Sequence, residues 1–197
     1  MCNRGPEFPA PLPSNMEQKL SSFDHMTANS IVLESGEEIT VDSVIYCTGY
    51  QYDFPFLPDG IVKVEDNKIR NLYKEIIPVE YNTIMFMSLP REVAFFLITS
   101  QQARYIKSLI EGSTQLPDVQ EMKLSIDHDF DQGGINLFSQ WEYDKELAAS
   151  GKFEPLPKVL KNLANCCFEQ YMTNFQNLRS LMFKVTGPNS FTVKSVL

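Results

Sequence analysis

The chain has 197 residues and a formal net charge of −8, an acidic balance that repels phosphate and excludes nucleic acid as a general partner. A hydrophobic fraction of 43% and a charged fraction of 21% are those of an ordinary globular chain, long enough to bury a core, and exclude disorder throughout. The acidity is uneven: no acidic side chain follows Glu169, whereas Arg179, Lys184 and Lys194 do, so the end reads as a mildly basic, solvated tail.

In chain order, residues 1–14 carry Pro6, Pro9, Pro11 and Pro13 with little periodicity, which predicts an extended leader. Ser30–Leu33 and Glu38–Val41 flank Glu34-Ser35-Gly36-Glu37, a hairpin signal with Gly36 as turn-former. Val44-Ile45-Tyr46, introduced by Asp42, reads as a short buried strand. It breaks at Thr48-Gly49, where glycine allows a sharp turn or a close approach to a ligand. An aromatic segment stiffened by Pro55 follows.

A second hairpin signal pairs Ile61–Val64 with Lys68–Arg70 across Glu65-Asp66-Asn67. Tyr73 to Pro78 reads as a linker, and Thr83–Met87 as a strand ended by Leu89-Pro90. Thr99-Ser100-Gln101-Gln102 has the capping-box pattern, which predicts a helix over Gln101–Glu111 that buries Ala103, Ile106 and Ile110 and stops at Gly112. In that frame Gln102 is a cap and Arg104 an exposed charge.

Asp127, Asp129 and Asp131 invite a calcium-loop reading, but the sixth and twelfth positions hold Gln132 and Phe138 where glycine and glutamate are needed. The stretch Ser125–Gly134 is therefore expected to be a solvated acidic loop. Neither His25 nor His128 has a ligand set or a catalytic partner in sequence. Ser139-Gln140-Trp141-Glu142 is a second capping box, opening a helix that ends near Gly151. Pro155 and Pro157 set the start of a longer helix with an apolar stripe of Val159, Leu160, Leu163, Cys166 and Cys167, and Gly187-Pro188 ends the helical region.

Cys2, Cys47, Cys166 and Cys167 form neither a CxxC pair nor a zinc pattern, which suits a reducing compartment. No segment is apolar for long enough to span a bilayer, the N-terminus lacks a signal-peptide pattern, and the end is too short and polar for a membrane anchor.

The string from Asp42 through Cys47-Thr48-Gly49-Tyr50 to Phe54-Pro55-Phe56-Leu57 resembles the carboxyl-proximal signature of flavin-containing monooxygenases, with Cys47 in the usual alanine position. Leu12–Lys19 is similar to the segment before that signature, and Gln102-Ala103-Arg104-Tyr105 matches an element close to the flavin. The resemblance implies an α/β fold, part of a flavoprotein with two dinucleotide-binding domains, with strands and hairpins in the first half and helices in the second. It implies a leader over 1–14, the end of the NADPH-binding domain and the crossover over 15–57, the carboxyl-terminal part of the FAD-binding domain over 58–183, and a tail over 184–197.

It further implies FAD and NADP as cofactors, with Thr48, Gly49 and Tyr50 at the interdomain turn and Gln102 beside FAD; no residue is assigned a catalytic or metal-binding role. The implied reaction is oxygenation of nitrogen or sulfur in small molecules. The implied location is cytoplasmic, with peripheral association with the endoplasmic reticulum.

Two departures qualify that picture. The chain contains no Gly-x-Gly-x-x-Gly turn, the element on which each nucleotide of the family sits. Ser88 stands where the family has glycine near the flavin ring, and its side chain would crowd that ring. The expectation is therefore an incomplete or inactive short form. The alternative is a non-catalytic protein acting through association, including self-association, by apolar faces; a branch that inserts oxygen beside a ketone fits less well.

Overall fold

The first half of the chain makes hairpins because short apolar runs are separated by residues that accept left-handed backbone. The computed structural model describes residues 14–90, 94–131, 135–136 and 138–196, and these fall into two units divided between Tyr50 and Gln51. The expected leader apart from Ser14, and positions 132–134 of the expected acidic loop, lie outside the described residues.

The first unit, residues 1–50 with 167–181 and 196–197, holds a three-stranded antiparallel sheet. Strands β1 (Phe23–Met26), β2 (Ser30–Leu33) and β3 (Glu38–Thr40) follow in order, with Ile31 opposite Ile39. The β2–β3 turn matches the sequence expectation: Gly36 sits at φ +84° with its N–H on the Leu33 carbonyl. Strand β1 carried no sequence signal, since all four of its residues are exposed. Val44–Tyr46 departs from expectation. It is not a strand, and Ile45 is 86% exposed. An apolar run of this kind is buried when it is paired on both edges, and no strand of the described residues pairs with it.

The second unit, residues 51–166 with 182–195, carries the core. Strands β4 (Val64–Glu65) and β5 (Lys68–Ile69) close on Asp66 and Asn67, both at positive φ as a type I′ turn requires. The expected linker is instead the most buried stretch of the molecule. Strands β6 (Leu72–Tyr73) and β7 (Ile77–Pro78) pair across a turn in which Lys74 (φ +52°) and Glu75 (φ +53°) are left-handed. Ile76 and Ile77 are both 0% exposed, and they join Ile98, Tyr105, Tyr143 and Leu147 in the main core cluster. Thr83–Met87 is not a strand either; the Phe86 N–H bonds the Ile76 carbonyl at 2.8 Å.

Helix α1 (Phe95–Ile110) begins well before the expected Gln101, because the apolar Phe95–Ile98 stretch continues into it. Its buried residues are Ile98, Gln101, Gln102, Tyr105 and Ser108, while Ala103 and Ile110 are exposed and Ile106 is half-buried, so the inward face lies beside the one expected. Its end is as expected, with Gly112 at φ +72° just past the last turn. Helix α2 (Val119–Asp131) replaces the acidic loop, and its Met122 packs with Tyr73 and Val79 in a second cluster.

Helix α3 (Gln140–Gly151) runs as expected and packs on α1. Ser139 does not cap it by side chain; its Oγ accepts the Asn136 N–H. Helix α4 (Lys158–Thr173) leads to a 3-10 helix over Phe175–Ser180. The helical region ends there, before Gly187-Pro188, which instead lies in the turn between strands β8 (Leu181–Gly187) and β9 (Ser190–Ser195). Among the described residues no helix is long and apolar enough to cross a membrane.

Candidate functional site

The densest polar cluster of the second unit is built around the adjacent glutamines of α1. Both sit on its buried face, between Ile98 and Tyr105, and their amides point to different neighbours. The Gln102 Oε1 accepts the Ser88 N–H at 2.9 Å, and its Nε2 donates to the Tyr143 hydroxyl at 2.9 Å. That hydroxyl donates to the Lys74 carbonyl at 2.7 Å. A carbonyl can only accept, so the hydroxyl proton is spent on Lys74, the amide nitrogen must face Tyr143, and the amide oxygen must face Ser88. The orientation of Gln102 follows from donor and acceptor chemistry alone.

Gln101 is fixed by the same logic. Its Nε2 donates to Asp144 Oδ1 at 2.5 Å, and its Oε1 accepts from Arg104 at 3.2 Å. Asp144, buried on α3, also accepts the Leu156 N–H at 3.0 and 3.2 Å, at the entrance to α4. Arg104 is exposed as expected but engaged: it donates to the Glu154 carbonyl at 2.8 Å, with its guanidinium 4.4 Å from the Phe153 ring centroid. Tyr105 lies beneath in the core, where burial first, and then the charge of and hydrogen bond with Tyr73, hold its phenol well above the ordinary value.

Ser88 is held from several directions. It is a non-glycine residue at φ +66°, a backbone state that costs about 1–2 kcal/mol for a residue with a Cβ. Its Oγ lies 2.8 Å from the Thr99 Oγ1, so Thr99 serves this loop and not a helix cap. The next residue, Leu89, takes a hydrogen bond on its carbonyl from the Tyr52 hydroxyl, and Phe86 packs edge-on to Phe54 at 5.6 Å. The Ser88 hydroxyl is thus turned toward α1.

In the first unit, Gly49 has φ +79°, and a Cβ there would meet nothing within 4 Å. Within the chain the backbone angle is what requires glycine. Thr48, Tyr50 and Cys47 are exposed.

The family model described as flavin-binding monooxygenase-like matches residues 7–146. The chain belongs to that family. Flavin-containing monooxygenase FMO GS-OX-like 5 of Arabidopsis thaliana is 33% identical over 132 residues, covering 61% of this chain and 29% of the relative. FMO GS-OX-like 3 of the same plant is 36% identical over 99 residues, or 49% of this chain and 22% of the relative. Among solved structures, S-allyl-L-cysteine S-oxygenase from Allium sativum superposes with a TM-score of 0.65 at 26% identity, over 77% of this chain and 37% of that one. Tmm from Pelagibacter sp. strain HTCC7211 superposes with a TM-score of 0.70 over 87% of this chain and 40% of that one; at 18% identity it speaks to the fold alone. The chain spans less than a third of the length of these curated relatives.

A family cofactor such as FAD presents a pyrophosphate, which needs free amides at a helix N-terminus. One or two amides at or just before each helix start of the described residues are held by acceptors of the chain itself. The Ala94 N–H before α1 is held by Gln140 Oε1, the Glu121 N–H of α2 by Asp118, the Phe138 and Ser139 N–H groups before α3 by Asn136, and the Leu156 N–H before α4 by Asp144. Two of these acceptors are carboxylate side chains, which repel an anion. Those amides are not open to the pyrophosphate of a dinucleotide, and the sequence places no Gly-x-Gly-x-x-Gly turn before any of the four helices. Sequence spacing contained one signal for this cluster: Ile98, Gln101-Gln102 and Tyr105 recur at helical period, which places both amides on the buried stripe. Tyr143, Asp144 and the left-handed Lys74 carried none.

Proposed function

We propose that this chain is the carboxyl-proximal part of a flavin- and NADPH-dependent monooxygenase that oxygenates nitrogen or sulfur in small molecules, and that it is inactive by itself. The observation that carries the proposal is the family match over residues 7–146, which takes in both the Val41–Leu57 signature and the Gln102–Tyr105 element. The superposition with an S-oxygenase supports sulfur as the acceptor atom. On this reading residues 15–57 end the NADPH-binding domain and form the crossover, 58–183 complete the FAD-binding domain, and 184–197 are a tail. Thr48, Gly49 and Tyr50 stand at the cofactor-side turn. Gln102 serves FAD indirectly, because both ends of its amide are engaged by protein. The Gly-rich pyrophosphate turns must come from polypeptide outside this sequence.

A second reading, a non-catalytic protein acting in the cytoplasm through association, is favoured by one observation: Ile45, Tyr50, Phe96 and Phe138 are each more than four-fifths exposed.

The deciding experiment is the visible spectrum of the purified chain with excess FAD, before and after desalting, repeated with the nucleotide-binding half of a family member added in trans. The monooxygenase reading expects no retained flavin for the chain alone, and retained flavin with thioether-dependent NADPH consumption in the mixture. Flavin retained by the chain alone overturns the assignment of the missing turns. A colourless, inactive mixture, with the chain eluting as an oligomer, supports the second reading.

A further inference from the structure

We propose that Tyr143 is a positioning residue, which acts through Gln102 to lock the Ser88 turn in its left-handed conformation. Two non-glycine turns, at Lys74 and at Ser88, are both left-handed, and the Tyr143–Gln102 pair joins them. The path runs from the Lys74 carbonyl to the Tyr143 hydroxyl, to the Gln102 amide, to the Ser88 N–H, over distances of 2.7, 2.9 and 2.9 Å. Gln102 is fully buried and Tyr143 nearly so, so water cannot readily replace either partner. The proton order in this path is fixed, because it ends on an obligate acceptor at Lys74 and an obligate donor at Ser88.

Loss of the phenolic oxygen would leave the Lys74 carbonyl without this donor and the Gln102 amide N–H without its acceptor. The amide would then keep only its bond to the Ser88 N–H and lose the contact that holds its other end, so its oxygen would be presented to Ser88 less firmly. A serine at φ +66° would then be held only by its hydroxyl contact with Thr99 and by its flanking residues. Tyr143 would thus control a loop on a different element without touching it. The functional consequence rests on the reading of the Ser88 loop as the flavin-facing one; the structural claim does not.

The test is amide hydrogen exchange of the full chain, read at residues 84–90 and separately in α1 and α3, for Tyr143→Phe against the parent. Exchange at the Ser88 loop should accelerate by about tenfold or more while α1 and α3 keep their protection. Adding Ser88→Gly should restore the protection of the Phe86 amide, which bonds the Ile76 carbonyl, because glycine adopts the left-handed state without opposition; it should not restore the melting midpoint. Unchanged exchange at the loop overturns the proposal. So does a uniform acceleration across all elements that Ser88→Gly fails to correct, because that is the signature of a merely structural tyrosine.

If Tyr143→Phe does not fold, Gln102→Asn carries the test, since it draws the amide back from Ser88 and leaves the Tyr143–Lys74 bond in place. Local acceleration supports the relay, and none overturns it. No flavin is needed for this readout, so failure of the cofactor reading would leave the exchange result standing. Flavin retention in the mixture with unchanged exchange would overturn the relay alone.

Discussion

The stretch from Val44 to Tyr50 and the buried turn from Tyr73 to Pro78 are opposites in sequence and in structure. The first has the longest motif in the chain and the apolar, branched residues of a buried strand, yet Ile45 is 86% exposed and no strand of the described residues pairs with it. The second has no motif and reads as a linker, yet Ile76 and Ile77 are 0% exposed. The difference teaches that motif strength reports family membership. Burial reports what neighbours a segment has in this chain. A parallel-type strand is stable only when other strands cover its edges; a two-residue hairpin closed by left-handed Lys74 and Glu75 brings its own partner and needs only helices above it.

The largest expected effect tests that contrast directly. Ile77→Ala should lose about 2–5 kcal/mol of unfolding free energy, because it opens a cavity among Ile98, Tyr105 and Leu147. Ile45→Ala should change stability by no more than about 0.5 kcal/mol. Urea unfolding measures both, and equal losses would erase the distinction between the two regions.

A middle-sized effect is expected from Asp144→Ala, which strands the Gln101 amide and the Leu156 N–H; the loss should be about 1–3 kcal/mol, with faster exchange at Leu156. A neutral Asp144→Ala would mean that the buried network adds nothing beyond apolar packing.

The smallest effect sharpens the comparison through pH. Burial holds the Tyr105 phenol above its ordinary value of 10.0, so below that pH it is protonated in both folded and unfolded chains and contributes no pH dependence. Above it the unfolded chain releases a proton that the folded chain keeps, so stability falls as pH rises, by about 1.4 kcal/mol per pH unit. Alkaline denaturation of the parent against Tyr105→Phe should show a steeper fall in the parent. Parallel curves would mean that the phenol is not buried as described.

Much of the fold was legible because its signals are local. Gly36, Asp66-Asn67 and Gly112 mark turns and a helix end through backbone angles that their own side chains permit, and each lies where sequence put it. The end of α3 at Gly151 and the presence of α4 were legible too, although of the expected α4 stripe Val159 alone is buried and the other four residues are half-buried. The candidate site was legible only in part. Gln102 was singled out, but as a cap or a neighbour of FAD, and its role as the link between Ser88 and Tyr143 has no sequence mark, because the three residues are separated by long stretches of chain and meet only when α1 packs on α3.

By itself the sequence determined the family, through the signature around Thr48-Gly49-Tyr50 and the Gln102-Ala103-Arg104-Tyr105 element, and it determined the turns at Gly36 and Asp66-Asn67 and the helix end at Gly112. Tertiary structure alone decided which apolar segments are covered, since Ile45 and Ile77 are the same residue in different company. It also decided that Ser88 takes a left-handed backbone state. A left-handed serine is unfavourable in isolation, and here an amide, a hydroxyl and a tyrosine from other elements hold it there.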